Sequence, residues 1–300
     1  GTFNMCQKLE KLILPPGLTD ITTGMLYNAL NLKILVMPAS IISIGNGAFT
    51  GCGALERIAL YSGNDSSKIT GDYDADLANG VVLNSSYKFN LPAALRTIGA
   101  NAFENCNNMN DLNVPATVQT IGFAAFAGCY NLEKVVLPFI GAHSDRCGGE
   151  NAKHDCSLDA LGGDLGFHGL FGWIFGTTGS VENTYQATQH YLNEDGGEER
   201  YTFYIPNKLT DITIRNESYI SYGALQGLKS VKNLTINEEV GENITSGILN
   251  GCSNLQSLSI SAIGSHLGDL FRGDEFENSI VTKGQARIPI ELKTIVVTNQ

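Results

Sequence analysis

The sequence predicts a solenoid of 23–24-residue repeats in the α/β repeat class, made predominantly of short parallel β-strands joined by short helical turns. The block IGNGAFTGC at residues 44–52 returns as IGANAFENC at 98–106 and, more loosely, as IGFAAFAGC at 121–129. Leu9, Leu32 and Leu55 share a spacing of 23 residues, and prolines recur after strand-like segments. A shared period in this range is typical of stacked repeats.

Each repeat is expected to begin with a short strand. Leu112, Asn113 and Val114 alternate apolar and polar side chains, which favours a strand with one buried face. Pro115 follows directly and ends the strand, because proline has no backbone N–H to donate to a neighbour. The following Ile-Gly pair is expected to begin a turn.

The second half of each repeat is expected to supply the core. Ala102, Phe103 and Cys106 have the spacing that puts side chains on one side of a helical turn. A reactive thiol would not be expected to recur once per repeat, whereas a buried cysteine behaves as a small hydrophobic residue. We therefore expect a column of core cysteines: Cys6, Cys52, Cys106, Cys129 and Cys252.

The IGxxAFxxC blocks, together with the LP and VP strand ends at 91–92, 114–115 and 137–138, resemble the BspA-type leucine-rich repeat family. The resemblance implies a leucine-rich-repeat solenoid. It also implies an extracellular or cell-surface location, since family members are usually secreted or surface proteins and several are described as adhesins. The chain begins inside a repeat and stops just after a strand, from which we expect a piece of a longer protein.

Three interruptions divide the predicted repeats. Residues 1–138 are expected to form the first set of repeats, with a loop insertion at 61–90. An excursion at 139–204 breaks the period, and repeats continue through 205–300 with a second excursion at 261–287. The segments IPNKLTDITI and IPIELKTIVV follow the two excursions, which suggests a duplicated module of repeats plus an excursion.

The insertion and the first excursion hold residue types that bind metals elsewhere. Asp72, Asp74 and Asp76 alternate like the first ligands of a calcium loop, but the glycine and the distant glutamate of that loop are absent. Cys147 and Cys156 are open to two readings, free thiols or a local disulfide in an oxidising compartment. The histidine and cysteine spacings around them match zinc sites poorly, so no metal and no cofactor is expected.

Composition limits the partners. A formal net charge of −11 argues against nucleic acid, which requires a basic surface. No apolar run reaches the roughly 18 residues of a membrane span, so direct membrane insertion is not expected. The sequence shows no nucleophile elbow, phosphate-binding glycine loop or HExxH motif. We therefore expect no catalytic residues and no enzymatic activity, and assume a monomer.

The expected function is protein binding or adhesion, with an extracellular or host-surface protein as the partner. Two alternatives stay open: a spacer or targeting segment of a larger surface enzyme, and an enzyme that uses the 139–204 excursion. A competing aromatic site in that excursion would consist of Phe167, Phe171 and Trp173. The candidate ligand-binding face is the row of outward strand positions: Lys11, Ile13, Ile34, Val36, Arg57, Asp111, Asn113, Lys134 and Val136.

Overall fold

The structure is a computed structural model. It describes residues 1–63, 65–83, 85–143, 168–192, 197–215, 220, 222–237, 246–260, 267–273, 279–281 and 286–297. The chain divides into two units, Gly1–Val135 and Val136–Gln300. Short strands are the main regular elements of both units.

The first unit stacks its repeats through parallel strands. Lys11 pairs with Ile34 and Ile34 with Arg57, an offset of 23 residues at each step. Further along the unit, the N–H of Glu133 donates to the carbonyl of Asn110 at 2.8 Å and joins two more repeats. Strands β1 (Lys11–Ile13), β3 (Ile34–Pro38) and β5 (Arg57–Tyr61) form one three-stranded sheet. Strands β7 (Asp111–Asn113) and β9 (Lys134–Leu137) are neighbours in a separate sheet.

A second parallel sheet runs through the same unit, and it includes the Ile-Gly pairs for which the sequence predicts turns. It contains β2 (Asp20–Ile21), β4 (Ser43–Ile44), β6 (Thr97–Ile98) and β8 (Thr120–Ile121), in that spatial order. In β4, β6 and β8 the isoleucine is followed by a glycine, which allows adjacent repeats to approach closely. A Cβ on Gly99 would lie 2.5 Å from the backbone nitrogen of Asn46, far inside normal contact.

The core between the two sheets is a column of stacked side chains. The rings of Phe49 and Phe103 stack at 5.0 Å between centroids, and those of Phe103 and Phe126 at 5.5 Å. Each buried cysteine donates its thiol to a carbonyl of the preceding repeat, as Cys129 does to Phe103 at 3.2 Å. The predicted core columns are therefore confirmed for the fully buried members, whereas Cys6 is half-buried.

The segments that carry these side chains are short turns, as expected, and do not extend into regular helices. Asn28, Asn105 and Ala124 have positive φ values of 56°, 61° and 56°. A left-handed residue ends any right-handed helix locally, because its carbonyl no longer points along the helix axis. Within the described residues, the one α-helix, α1 (Tyr73–Ala78), lies in the insertion.

The second unit combines a parallel sheet with two antiparallel hairpins. Its parallel strands keep the repeat register, with Asp211 opposite Asn233 and Asn233 opposite Ser257. The parallel strands are β12 (Asp211–Ile214), β13 (Asn233–Ile236), β14 (Ser257–Ile260) and β17 (Thr294–Val297). One hairpin pairs β10 (Thr184–Leu192) with β11 (Glu198–Pro206), and the other pairs β15 (Ser279–Val281) with β16 (Arg287–Pro289).

A buried glutamine fixes the first hairpin in the second unit. Gln189 is fully buried and accepts a hydrogen bond from the N–H of Gly172 at 2.8 Å, within a 3-10 turn at Phe171–Ile174. Its amide donates to the carbonyl of Gln226, whose own amide donates to Gly247 at 2.8 Å. Because buried amides are costly without partners, this chain of bonds specifies how turn, hairpin and repeats pack.

Candidate binding face

Strands β1, β3 and β5 of the first unit set their outward side chains in two aligned columns. Lys11, Ile34 and Arg57 form one column, and Ile13, Val36 and Ala59 form the next. Side chains two residues apart on a strand share a face, so the two columns together make one surface. We call this surface of six residues the strand face.

The insertion lies over the strand face, although the sequence predicts an open surface there. Val36 and Ala59 are 1% and 2% exposed and form a buried cluster with Tyr61, Ile69 and Val82. Ile13 and Ile34, together with Tyr73 and Leu77 of the insertion, pack around this cluster. The expectation of an open surface at Val36 is therefore wrong, because an apolar segment of the same chain covers it.

Two cations at the border of the strand face also contact the insertion. The Lys11 ammonium donates a hydrogen bond of 2.5 Å to the carbonyl of Thr70. The Arg57 guanidinium lies 3.9 Å from the centroid of the Tyr73 ring. Gly71 has φ +79° and lies against the Lys11 side chain, where a Cβ would collide with it. Glycine at this position therefore permits the close contact.

A buried carboxylate organises the part of the insertion that makes these contacts. Asp76 is 1% exposed and accepts hydrogen bonds from the N–H and hydroxyl of Thr70 and from the N–H of Gly71. Burial alone would raise the pKa of Asp76, but these bonds and the nearby Lys11 charge together lower it. Asp72 caps the helix by accepting from the N–H of Ala75 at 3.1 Å. Two of the three alternating aspartates, Asp72 and Asp76, thus have structural partners.

The rest of the predicted row in the first unit is more accessible. Lys134 is exposed, and Asp111 and Asn113 are half-buried. The Asp111 carboxylate accepts from the N–H of Lys88 at 3.1 Å, which leaves its second oxygen for other contacts. We call Asp111, Asn113 and Lys134 the open row. Val136, in the second unit, is 8% exposed, so its predicted place on an open surface is also wrong.

The outward positions in the second unit carry mainly short polar side chains. Asn233 donates to the carboxylate of Asp211 at 3.0 Å, so these neighbours satisfy one another along the sheet. Thr235 and Ser259 are half-buried and opposite each other. Val296 is 44% exposed. This row offers hydroxyl and amide groups with little free charge.

The two described members of the predicted aromatic site, Phe171 and Trp173, are core residues. Phe171 is fully buried and Trp173 is 3% exposed, packed edge-on against His168 at 4.5 Å between centroids. Burial also lowers the pKa of His168. Without an exposed ring face, Phe171 and Trp173 cannot form the predicted aromatic platform. Phe167, Cys147 and Cys156 lie outside the described residues.

The buried thiols lack the properties of nucleophiles. Burial raises the pKa of Cys52, Cys129 and Cys252 to about 12 and that of Cys106 well above its usual value. Since the thiolate is the reactive form, these cysteines are inert at neutral pH. In the described ranges, no group of three His, Cys, Asp or Glu side chains is arranged to hold a metal ion.

The described part of the chain contains no helix long and apolar enough to cross a membrane. A search of curated proteins finds no match to the sequence. Similar solved structures include the leucine-rich repeat protein TpLRR of T. pallidum, with 17% identity over 84% of this chain and 69% of that one and a TM-score of 0.34.

Two further solved structures have similarly low sequence identity to this chain. The pneumococcal vaccine antigen PcpA is 14% identical, with 99% of this chain and 80% of that one covered and a TM-score of 0.31. A leucine-rich cell surface protein of Faecalibacterium prausnitzii is 15% identical, with 85% and 68% covered and a TM-score of 0.25. Such distant likenesses carry no information on what this chain binds.

The profile described as the BspA type leucine rich repeat region matches six copies, at residues 1–71, 83–144 and 199–287. These ranges cover well over half of the chain. They include the stacked phenylalanines Phe49, Phe103 and Phe126. The chain belongs to the BspA-type leucine-rich repeat family.

Proposed function

We propose that this chain is a non-catalytic module that binds a protein partner at a cell surface or outside the cell. The observation that carries the proposal is the open row of the first unit, where Asp111 and Lys134 present opposite charges beside Asn113. Side chains repeated on successive strands form a broad, shallow surface, and such a surface suits a protein better than a small substrate.

The chemistry of the open row favours a protein over a sugar polymer. Aromatic side chains are enriched at the positions that contribute most to binding, and sugar sites usually need an exposed ring. The open row has none. Instead it offers one carboxylate, one amide and one ammonium group, which match the polar rim of a protein interface. The extracellular location is proposed on family membership.

Binding can be tested on an array of extracellular-matrix proteins and glycans, followed by affinity measurement for each partner found. The variant Asp111→Asn with Lys134→Gln removes both charges of the open row while it keeps side-chain size and net charge. We expect it to bind at least about tenfold more weakly, a change of about 1.4 kcal/mol. A protein partner with such a loss supports the proposal.

The matched control is Asp65→Asn with Lys68→Gln, which removes an exposed pair of opposite charges on the insertion. It should bind like the wild type. If the control loses affinity and the open-row variant does not, the proposed surface is wrong. If only glycans bind, the proposed class of partner is wrong.

A second candidate function is a spacer or targeting segment, with any activity elsewhere in a longer chain. The insertion favours it, because covering the strand face removes part of the surface that adhesion would use. The absence of any partner on the array would support the spacer over the binding module.

A further inference from the structure

The strand face has the composition of a binding site. Ile13, Val36 and Ala59 form an apolar strip, and the cationic side chains of Lys11 and Arg57 lie beside it. Desolvated apolar area flanked by charge is the usual anatomy of a protein contact, with affinity from the apolar part and orientation from the charges. The same strip would be costly to leave in water.

The segment that occupies the strand face has the complementary composition. It reads GDYDADL at residues 71–77, with Tyr73 and Leu77 four residues apart on one face of α1. Three aspartates accompany them within five residues. An acidic segment with an aromatic and an aliphatic anchor therefore lies on an apolar strip with two cations.

A partner could replace the contacts that Lys11 and Arg57 make with the insertion. The direct contacts of Lys11 and Arg57 are with a backbone carbonyl and an aromatic ring, both neutral groups, and the Asp76 carboxylate lies near Lys11 as well. Asp72 and Asp74 are exposed. A partner that brings a carboxylate directly to Lys11 or Arg57 would make a charge-assisted hydrogen bond, which is stronger than a neutral one.

We call residues 69–82, which lie over the strand face, the cover. The cover depends on its contacts with the strand face for its order. A helix of six residues is far below the roughly 12–15 residues at which isolated helices become even marginal in water, so α1 depends on its contacts for order. The strands underneath pair with one another through their own backbones and have a separate core on their other side. Local opening of such a segment costs less than global unfolding.

We propose that the insertion is an internal stand-in for a ligand, and that the strand face binds an acidic peptide segment with aromatic and aliphatic side chains four residues apart. The partner would displace residues 69–82 and use Lys11, Arg57 and the apolar strip. The inference rests on the proposed protein-binding function and adds the regulation of a second surface, which is available only when the cover opens.

The test uses a fluorescent synthetic peptide of residues 68–82 as the probe and fluorescence anisotropy as the measurement. The opened variant is Tyr73→Ser with Leu77→Ser, which removes two half-buried anchors of the cover. A site that is open for a fraction of the time has its apparent affinity reduced by that fraction. We expect the opened variant to bind the probe at least about tenfold more tightly than the wild type.

The role of the border cations is tested in the opened background. Arg57→Ala should weaken probe binding about tenfold, because it removes the group that holds the aromatic ring. The matched control is Lys229→Ala, which removes an exposed cation of the second unit and should leave binding unchanged. Equal binding by opened and wild-type chains, or equal effects of the two cation variants, would overturn the inference.

A measurement on the wild type covers the case in which the opened variant does not fold. The N–H of Gly71 donates to Asp76, and its hydrogen exchange reports on the cover. Saturating probe should accelerate this exchange, and unchanged exchange would count against displacement. If array partners depend on the open row but the probe binds neither chain, the proposed function stands and this inference fails. If the probe binds but the array yields no partner, this inference stands and the proposed binding at the open row fails.

Discussion

Phe103 is the residue on which the repeat packing can be tested most simply. Its ring lies between those of Phe49 and Phe126 and is fully buried. We predict that Phe103→Ala lowers the free energy of unfolding by about 3–5 kcal/mol, since it removes the ring and leaves a cavity. Urea titration followed by circular dichroism measures the loss. Leu30→Ala, at a position 47% exposed, is the control and should cost little.

The buried cysteines make a second prediction at this scale. Burial raises the pKa of Cys52, Cys129 and Cys252 to about 12, so almost no thiolate exists at pH 8. Iodoacetamide should therefore leave these thiols and Cys106 unmodified in the native chain and alkylate them in urea, while half-buried Cys6 reacts in both. Mass spectrometry that finds Cys106 alkylated in the native chain would contradict the packing.

Asp76 gives a prediction with a defined pH dependence. Its hydrogen bonds and the Lys11 charge lower the folded-state pKa below the unfolded value of about 4. The carboxylate therefore stabilises the fold above that value, and the contribution is lost as pH falls through the folded pKa. Asp76→Asn cannot accept at both oxygens and should cost about 1–3 kcal/mol at pH 7.

The same comparison at low pH provides the check. As the pH falls through the lowered folded-state pKa of Asp76, the wild-type carboxylate also protonates, so the difference in unfolding free energy between wild type and Asp76→Asn should shrink. Exposed Asp74→Asn is the control and should have little effect at either pH. A difference that does not change with pH would mean that ionised Asp76 contributes no stability.

At the scale of elements, the periodic strands and core columns are predictable from the sequence, and the sheet of two-residue strands is not. Strand β7 and the phenylalanine column follow from alternation and from the repeat spacing. The second sheet, exemplified by β4, could not be predicted because two-residue strands have no alternation to detect. The glycines that follow β4, β6 and β8 are the sequence feature that indicates this sheet. A position where a Cβ would collide with the neighbouring backbone implies that two repeats approach closely there.

The insertion was the largest error at this scale. Its polar composition indicated a loop, but Ile69, Tyr73 and Leu77 recur within it at intervals of four. That spacing favours an amphipathic segment and therefore a partner surface. Which surface it covers depends on long-range contacts, and no local pattern specifies them. The outward direction of the strand face followed from the sequence, but its burial did not.

At the scale of the whole molecule, stability is expected to be independent of metal ions. Apolar columns and backbone ladders hold the described repeats, and Asp72 and Asp76 of the insertion form hydrogen bonds within the chain itself. Thermal unfolding with and without a strong chelator should give the same midpoint. A decrease of several degrees in chelator would reveal a bound ion, since a ligand that binds only the native state raises its stability.

The central claim is that a protein partner binds the open row. Lysine acetylation followed by mass spectrometry, on the chain alone and bound to the partner identified on the array, tests it most directly. Lys134 is exposed and should be acetylated in the free chain but protected in the complex, while Lys68 on the insertion should react equally in both. Equal acetylation of Lys134 in the free and bound chains would contradict the account.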